Sequence, residues 1–346
     1  MTAPETSGEG RNRGPACGHK PAAAAEAASR ALEPPTGTLE TSSGTPPASS
    51  HASRARRGEG PTHPSSPESA AAWEAAAREV LGRLRRHRPL VHHLTNDVVM
   101  HWTANITLAL GASPLMAPEP AEFPPIAAAA GALVLNIGSL RAHDADVYRA
   151  AQAEARRHGL AIVLDPVGAG FTDLRTDVAR QLLEGGVTAL RGNGGEILAL
   201  AGGGTGHTRG VDSGRVAEAE VAAAARGLAR RYGCVVVASG PVDLVTDGHQ
   251  VWRVANGHPW LTAVTGGGCG ATTAVAVFLA GSADPLRDAA LAMGVYGLAA
   301  QRAAARAAGP GSFQAAFLDE LYALGAAGTA EPSGLDIRSD EEVAEG

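Results

Sequence analysis

The residues with the clearest chemistry form a glycine-rich turn that carries one cysteine, Gly266-Gly267-Gly268-Cys269. The turn follows an apolar segment and precedes one rich in Ala, Val and Thr, which predicts the start of a helix. The first N–H groups of a helix lack helical partners, and the helix dipole adds positive potential there. The turn therefore suits a phosphate group or a developing oxyanion. The same potential is expected to lower the pKa of the Cys269 thiol, although a small buried cysteine in a tight turn is the alternative.

Two carboxylates form a second candidate centre. Asp165 and Glu196 each follow a predicted strand and lie among glycines. In the presence of ATP, carboxylates at such positions hold Mg²⁺ directly or through water. Two alternatives stay open at this point. Asp165 could cap the turn before Pro166, and Glu196 could be an acid in the first turn of a helix.

Other polar or soft side chains near the strand ends are weaker candidates. Arg191 is placed to meet phosphate oxygens with its forked guanidinium, although a surface ion pair is the alternative. Ser239 and Asn96 also follow predicted strands. Met116 suits a soft apolar ligand pocket, but its pattern alone favours plain core packing.

Short apolar runs that alternate with helical patterns must position these residues. The alternation predicts an α/β fold, with a mostly parallel central sheet flanked by helices on both faces. The predicted strands are residues 90–94, 132–137, 161–164, 189–190 and 234–238, and the predicted helices are 143–158, 174–184, 215–232, 269–280 and 286–307. Residues 244–246 and 251–254 predict an antiparallel hairpin near one edge. Since ligands of such sheets bind beyond the carboxyl ends of the strands, we expect the candidate residues to converge there.

Composition and charge exclude several classes of function. The net charge of −6 predicts neither nucleic acid nor a membrane surface as a partner. The only lysine is Lys20, whereas P-loop NTPases, protein kinases and pyridoxal-phosphate enzymes each need a lysine in their site. The cysteines, Cys17, Cys234 and Cys269, are odd in number and far apart, which predicts reduced thiols in a cytoplasmic protein. No apolar run is long enough to span a bilayer.

The chain is predicted to have three parts. Residues 1–65 contain almost no large apolar side chain and are expected to be a disordered N-terminal extension. Residues 66–327 are expected to form the folded domain, which opens with a helix capped by Ser66 and with Pro67 in its first turn. Residues 328–346 are expected to be a flexible acidic tail.

An ordered set of segments resembles hydroxyethylthiazole kinase, the thiamine-salvage member of the ribokinase-like group. The segments are residues 95–100, 103–105, 111–116, 135–138, 164–170, 191–193 with Glu196, 210–213 and 264–269. The resemblance covers roughly residues 70–325. Its order and spacing make it specific, as does a Gly-Cys ending where most ribokinase-like enzymes have Gly-Asp.

The resemblance implies a reaction in which ATP phosphorylates the primary hydroxyl of 4-methyl-5-(2-hydroxyethyl)thiazole, for thiamine phosphate synthesis. It implies Mg²⁺ and a homotrimer with its sites at subunit interfaces. By position, Cys269 stands where relatives have the catalytic base. The implied site residues are Cys269, Gly266, Gly267 and Gly268 for catalysis, Arg191 and Ser239 for ATP, Met116, Gly266 and Asn96 for the substrate, and Glu196 and Asp165 for the metal.

Three other functions compete with this one. A related kinase could act on another small alcohol, such as hydroxymethylpyrimidine or pyridoxal, but those usually carry Asp at position 269. A non-catalytic regulator could keep the fold, but the presence of Cys269, Glu196 and the glycines argues against it. A Rossmann-type dehydrogenase is disfavoured, because no Gly-x-Gly-x-x-Gly follows the first predicted strand.

Overall fold

A computed structural model describes residues 69–141, 143–202 and 218–340, and within these ranges the strands form one nine-stranded sheet. Its spatial order is β2-β1-β3-β4-β5-β6-β7-β8-β9. The strands are β1 (Leu90–Leu94), β2 (Ser113–Leu115), β3 (Ala130–Asn136), β4 (Ala161–Asp165), β5 (Ala189–Asn193), β6 (Val235–Ser239), β7 (Asp243–Thr246), β8 (Val251–Val254) and β9 (Ile337–Ser339). Strands β1 to β6 are parallel, and β7, β8 and β9 extend the sheet in antiparallel fashion. The predicted parallel sheet and hairpin are confirmed.

Helices cover both faces of this sheet. They are α1 (Ala70–His87), α2 (Met100–Ala109), α3 (Phe123–Ala129), α4 (Asp144–Arg157), α5 (Asp173–Glu184), α6 (Gly194–Leu200), α7 (Glu218–Tyr232), α8 (Gly267–Leu279), α9 (Pro285–Ala304) and α10 (Pro310–Leu324). Alternate strand residues point to opposite faces. Val134 and Val163 join the core under α1, α2, α8, α9 and α10, whereas Leu135 and Leu164 join the core under α3 to α7. The prediction of helices on both faces is therefore confirmed.

Helix α8 is the best-buried helix next to the parallel strands. Every residue from Gly270 to Leu279 is buried, and the helix contacts β3, β4, α2 and α9. A helix that is apolar all round must lie inside the protein. Its N-terminus therefore has a fixed position over the sheet.

The observed elements differ from the predicted ones at both ends of the domain. Ser66 and Pro67 lie outside the described residues, as do the extension 1–65 and residues 203–217. Helix α1 begins at Ala70, where the Ser69 side chain accepts a hydrogen bond from the Ala72 N–H. At the other end, β9 pairs with β8, and Leu335 and Ile337 are buried in the core. Residues 335–339 therefore belong to the fold instead of to the tail predicted from residue 328.

None of the helices in the described ranges combines the length and hydropathy that a bilayer-crossing segment requires.

Candidate active site

The candidate residues converge where the parallel strands end. Asn96 follows β1, Asp165 ends β4, Arg191 lies in β5 and Ser239 ends β6. The chain passes from β1 to β2 on one side and then returns to β3 on the other, so the direction of strand succession reverses between β1 and β3. Crevices for ligands in α/β sheets form at such reversals. The expected convergence at this edge is therefore what the fold produces.

The N-terminus of α8 closes this crevice. Gly266 is its N-cap and has φ 85°, a backbone conformation that glycine adopts without strain. A Cβ on Gly268 would lie 2.8 Å from Arg191 Nη1, so glycine lets the guanidinium approach the turn. The first N–H groups of the helix and the Arg191 cation therefore face the same region, which suits an anion.

A buried hydrogen-bond network holds the Asp165 carboxylate. Asn136 Nδ2 donates to Asp165 Oδ2 over 2.7 Å, and Thr272 Oγ1 donates to the same oxygen over 2.9 Å. Asn96 Nδ2 donates to Asn136 Oδ1 over 2.8 Å. Burial raises the pKa of Asp165, and the Arg191 charge opposes that rise. The network joins β1, β3, β4 and α8 through their side chains.

The Cys269 thiol touches this network and keeps its proton at neutral pH. Burial raises the pKa of the thiol to about 12, and the charge of Asp165 adds to the rise. The thiol hydrogen-bonds to Asp165, and Asn96 Nδ2 lies 3.8 Å from its Sγ. The lowered pKa predicted from the helix dipole is wrong, because burial and the neighbouring carboxylate outweigh the dipole.

Glu196 is both a helix cap and a buried acid beside Asp165. Its Oε2 accepts from the Asn193 N–H over 2.8 Å, and Asn193 Oδ1 accepts from the Glu196 N–H over 2.9 Å, which is the capping box of α6. Its Oε1 accepts from the Gly168 N–H over 2.9 Å. Burial raises the pKa of Glu196 to about 7, and the charge of Asp165 contributes to the rise. Glu196 is therefore an acid in the first turn of a helix, as the alternative in the sequence analysis had it, and also a buried acid of the site.

Arg191 is buried among these groups instead of forming a surface ion pair. Its Nη2 donates to Ser239 Oγ over 2.7 Å. Its Nε has no hydrogen-bond partner among the described residues. The positive charge of Arg191 opposes the rise in the pKa values of Asp165, Glu196 and Cys269 that burial causes. A buried guanidinium with an unused N–H is suited to bind phosphate oxygens.

The donor set fits Mg²⁺ with substrate phosphates, and it does not form a closed metal cage. Within the described ranges there is no group of three or more His, Cys, Asp or Glu side chains that could hold a metal ion. Mg²⁺ keeps several waters and needs only one or two carboxylates beside phosphates. Asp165 and Glu196 meet that requirement, because both are buried acids whose pKa values are raised and a cation would offset their charges.

Met116 lies at the same edge of the sheet but outside the network. It follows β2, the edge strand, and is half-buried. Leu115 stands opposite His92 in the parallel pairing of β1 and β2. His92 Nε2 lies 2.8 Å from the Ala117 carbonyl oxygen, which fixes the segment that carries Met116.

Three residues of the site carried no role in the sequence analysis: Asn136, Thr272 and Tyr296. Asn136 and Thr272 hold Asp165, and Tyr296 Oη donates to the Gly267 carbonyl over 2.8 Å. Thr272 lies one helical turn after Gly268, so helical spacing could have indicated it. Tyr296 lies within α9, far along the chain, and no local signal marks it.

Several known proteins are similar to this chain. The model of the hydroxyethylthiazole kinase family matches residues 81–327. Hydroxyethylthiazole kinase from Chloroflexus aggregans is 50% identical over 250 residues, which cover 72% of this chain and 89% of that protein. The enzyme of the same name from Nitratidesulfovibrio vulgaris strain DP4 is 51% identical over 242 residues, 70% of this chain and 90% of the relative.

Solved structures show the same similarity. The structure of the hydroxyethylthiazole kinase protein from Pyrococcus horikoshii OT3 has a TM-score of 0.68 and 38% identity, and covers 77% of this chain and 99% of its own. A ribokinase-like superfamily protein from Enterococcus faecalis V583 has a TM-score of 0.51 and 12% identity, with 72% of this chain and 95% of that chain covered. The second likeness concerns the fold alone.

Proposed function

The chain belongs to the hydroxyethylthiazole kinase family, and from that membership we propose that it transfers the γ-phosphoryl group of ATP to the primary hydroxyl of 4-methyl-5-(2-hydroxyethyl)thiazole. The product is the thiazole phosphate that thiamine phosphate synthesis uses. One observation carries the proposal: Arg191, Asp165 and Cys269 meet at the glycine-rich N-terminus of α8. Another small alcohol, such as hydroxymethylpyrimidine or pyridoxal, is not favoured, because the relatives at about half identity all bear the thiazole kinase name.

The phosphates are proposed to lie between the start of α8 and Arg191. The N–H groups of Gly268 and Cys269 would donate to the transferring phosphoryl oxygens, and Arg191 with Ser239 would hold ATP. Asp165 and Glu196 would hold Mg²⁺, which supplies neutralisation of phosphate charge. Phosphoryl transfer needs positioning and charge neutralisation more than covalent chemistry, and this site supplies both.

The thiazole alcohol is proposed to lie against Cys269, Asn96 and Gly266. Since the thiol is protonated at neutral pH, it acts as a hydrogen-bonding group and not as a thiolate base. The base available beside it is the Asp165 carboxylate, which accepts hydrogen bonds from Asn136 and Thr272. A loose transition state does not require a strong base.

We also propose a cytoplasmic homotrimer with its sites at subunit interfaces. Met116 follows an edge strand, and Val98, two residues after Asn96, is 71% exposed. A neighbouring subunit that covers Val98 would close the substrate side of the site. Met116, which follows the edge strand β2, would reach the substrate from that edge of the sheet. Sedimentation of the active enzyme should give the mass of three chains, whereas a fully active monomer would contradict the proposal.

A coupled assay of ADP release tests the function. Purified protein is given ATP, Mg²⁺ and one of three alcohols, namely hydroxyethylthiazole, hydroxymethylpyrimidine or pyridoxal. We expect the highest kcat/KM with the thiazole, loss of turnover on chelation of divalent ions, and recovery on addition of Mg²⁺. Turnover of only the other two alcohols would refute the proposed substrate.

A further inference from the structure

We propose that Asn136 is a positioning residue, which holds Asn96 on the substrate side in a fixed relation to Asp165 on the metal and phosphate side. The inference rests on the proposed function, because that function defines the two sides. Asn136 ends β3, between β1 and β4, and is directly paired with Asp165 in the parallel register. Its side chain is 1% exposed and makes every hydrogen bond within the site.

The direction of these hydrogen bonds is set by backbone groups. The Gly138 N–H donates to Asn136 Oδ1 over 3.0 Å, so the other end of this amide, Nδ2, is the one that faces Asp165. The Val98 N–H donates to Asn96 Oδ1 over 3.1 Å, so Asn96 Nδ2 is the end that faces Asn136. A backbone N–H can only donate, and therefore each amide has one allowed orientation.

One polarity therefore runs through the whole network. Asn96 donates to Asn136, and Asn136 donates to Asp165 Oδ2. Thr272 donates to the same oxygen. Asn136 and Thr272 therefore fix the position of Oδ2 of Asp165. Rotation of Asn136 would place an oxygen against Asp165 and a nitrogen against the Gly138 N–H. Asn136 thus ties the positions of Asn96 and Asp165 to each other.

Asn136→Asp separates this role from simple core packing. The new side chain has the same shape and still accepts from Asn96 and Gly138, but it presents an oxygen to Asp165 Oδ2 where the N–H was. Asn136→Ala removes the hydrogen bonds with Asn96, Asp165 and Gly138 and the one with the Cys269 thiol. Asn256→Ala is the matched control, because Asn256 is also a buried asparagine with three hydrogen bonds, to Gln301, Gly334 and Asp336, and these tie the end of β8 to the C-terminal segment.

The experiment compares kcat and KM, calorimetric binding of hydroxyethylthiazole without nucleotide or metal, and thermal unfolding for the wild type and the three variants. Since an error in position of about 1 Å can lower turnover by about 100-fold, we expect that order of loss in kcat for Asn136→Asp at temperatures where it is folded, together with weaker thiazole binding. Its Tm should also fall, because the new carboxyl is buried against Asp165. Asn256→Ala should lower Tm and leave kcat unchanged at temperatures where it is folded. Wild-type kcat and thiazole affinity in Asn136→Asp, or a loss of kcat that only follows Tm, would overturn the proposal.

A substrate-independent readout separates this proposal from the function on which it rests. Cys269 contacts Asn96 and Asp165 and its thiol also hydrogen-bonds to Asn136, so loss of the Asn136 side chain should change the rate at which iodoacetamide alkylates Cys269, measured on its peptide by mass spectrometry. We expect several-fold faster alkylation in Asn136→Ala and no change in Asn256→Ala. Wild-type protein that turns over no thiazole would refute the function, whereas equal alkylation rates in wild type and Asn136→Ala would refute the positioning role.

Discussion

Two opposing influences act on the Cys269 thiol. The helix dipole of α8 favours the thiolate, whereas burial and the Asp165 carboxylate favour the protonated thiol. The carboxylate and the burial prevail, and the pKa of the thiol rises to about 12. The dipole is worth only about 0.3–1 kcal/mol at exposed sites and up to about 2 kcal/mol in partly buried ones. A shift of one pKa unit corresponds to about 1.4 kcal/mol, so the dipole alone does not offset a shift of this size.

Cys269→Ser is expected to lower kcat by less than about tenfold, because removal of a true general base costs about 100-fold or more. The serine hydroxyl can replace the thiol as a donor to Asp165, and the loss of packing is small. Cys269→Asp should also stay active, because phosphoryl transfer with a loose transition state does not require a strong base. Turnover of both variants at saturating ATP measures this. A loss of two orders of magnitude in the serine variant would show that a thiolate forms during the reaction.

The site residues that could be predicted from sequence are those whose neighbours along the chain are informative. Asp165 and Glu196 lie among glycines at strand ends, so local pattern indicated them. The partners that fix Asp165 are Asn136 and Thr272, which are 29 and 107 residues away along the chain. Spacing along the chain cannot show which polar residues of different strands contact each other in the fold. The pKa of the Cys269 thiol could not be predicted for the same reason, because it depends on the contact with Asp165.

At the scale of elements, α9 holds the glycine-rich turn at the start of α8. Tyr296 Oη donates to the Gly267 carbonyl over 2.8 Å, and its ring packs edge-on against Phe317 of α10. We expect Tyr296→Phe to lower kcat several-fold with a small change in Tm, because the ring remains and only the hydrogen bond to the turn is lost, worth about 1 kcal/mol. Tyr232→Phe is the control, since its buried hydroxyl has no partner among the described residues. Equal kinetics in the two variants would contradict a role for Tyr296 in holding the turn.

The first residue of β7 is an acid that should make stability depend on pH. Asp243 accepts a hydrogen bond from the Gly240 N–H, and burial raises its pKa from 3.8 to about 6. The folded protein keeps this proton to a higher pH than the unfolded chain does. The stabilising contribution of the protonated carboxyl is therefore complete below pH 3.8 and is lost as pH rises through about 6.

Asp243→Asn keeps the acceptor and removes the titration. The unfolding free energy of Asp243→Asn relative to wild type should therefore increase between about pH 4 and pH 7, by about 2–3 kcal/mol for a shift of this size. Both proteins contain the same other titrating groups, so the difference between their unfolding free energies cancels the contributions of those groups. One of them is buried His93, whose pKa is lowered to about 3. Urea unfolding across that pH range measures it. A difference that does not vary with pH would mean that Asp243 ionises normally.

Helix α5 was predicted from its sequence pattern, whereas α2 and β2 were not. Helix α5 has Thr172 as a capping residue and alternates apolar with polar side chains, so its pattern is clear. Helix α2 has no side-chain cap and is apolar on most sides, because it packs between α8 and α10. Strand β2 has only three residues. Such elements are set by tertiary contacts and not by local propensity.

At the scale of the whole molecule, the end of the chain completes the sheet at the edge far from the site. Residues 335–340 follow a stretch with few apolar side chains, which is why the sequence predicts a tail there. Leu335 and Ile337 are nevertheless buried, and Asp340 forms ion pairs with Arg226 and Arg253. Two apolar side chains and one paired acid are therefore enough to add β9 to β8.

Deletion of residues 335–346 should lower stability without direct loss of catalysis. Full burial of a Leu or Ile side chain is worth about 1.5–3 kcal/mol, so the loss of two is about 3–6 kcal/mol. At about 2–4 °C per kcal/mol for a domain of this size, Tm should fall by roughly 10 °C.

Deletion of residues 341–346 alone leaves β9 in place and is expected to change Tm little. Because β9 lies at the opposite end of the sheet from β1 and β3, kcat of the longer deletion should match the wild type below its unfolding transition. Equal Tm values for the two deletions would show that β9 adds nothing to stability, and a kcat loss at low temperature would show that the edge is coupled to the site.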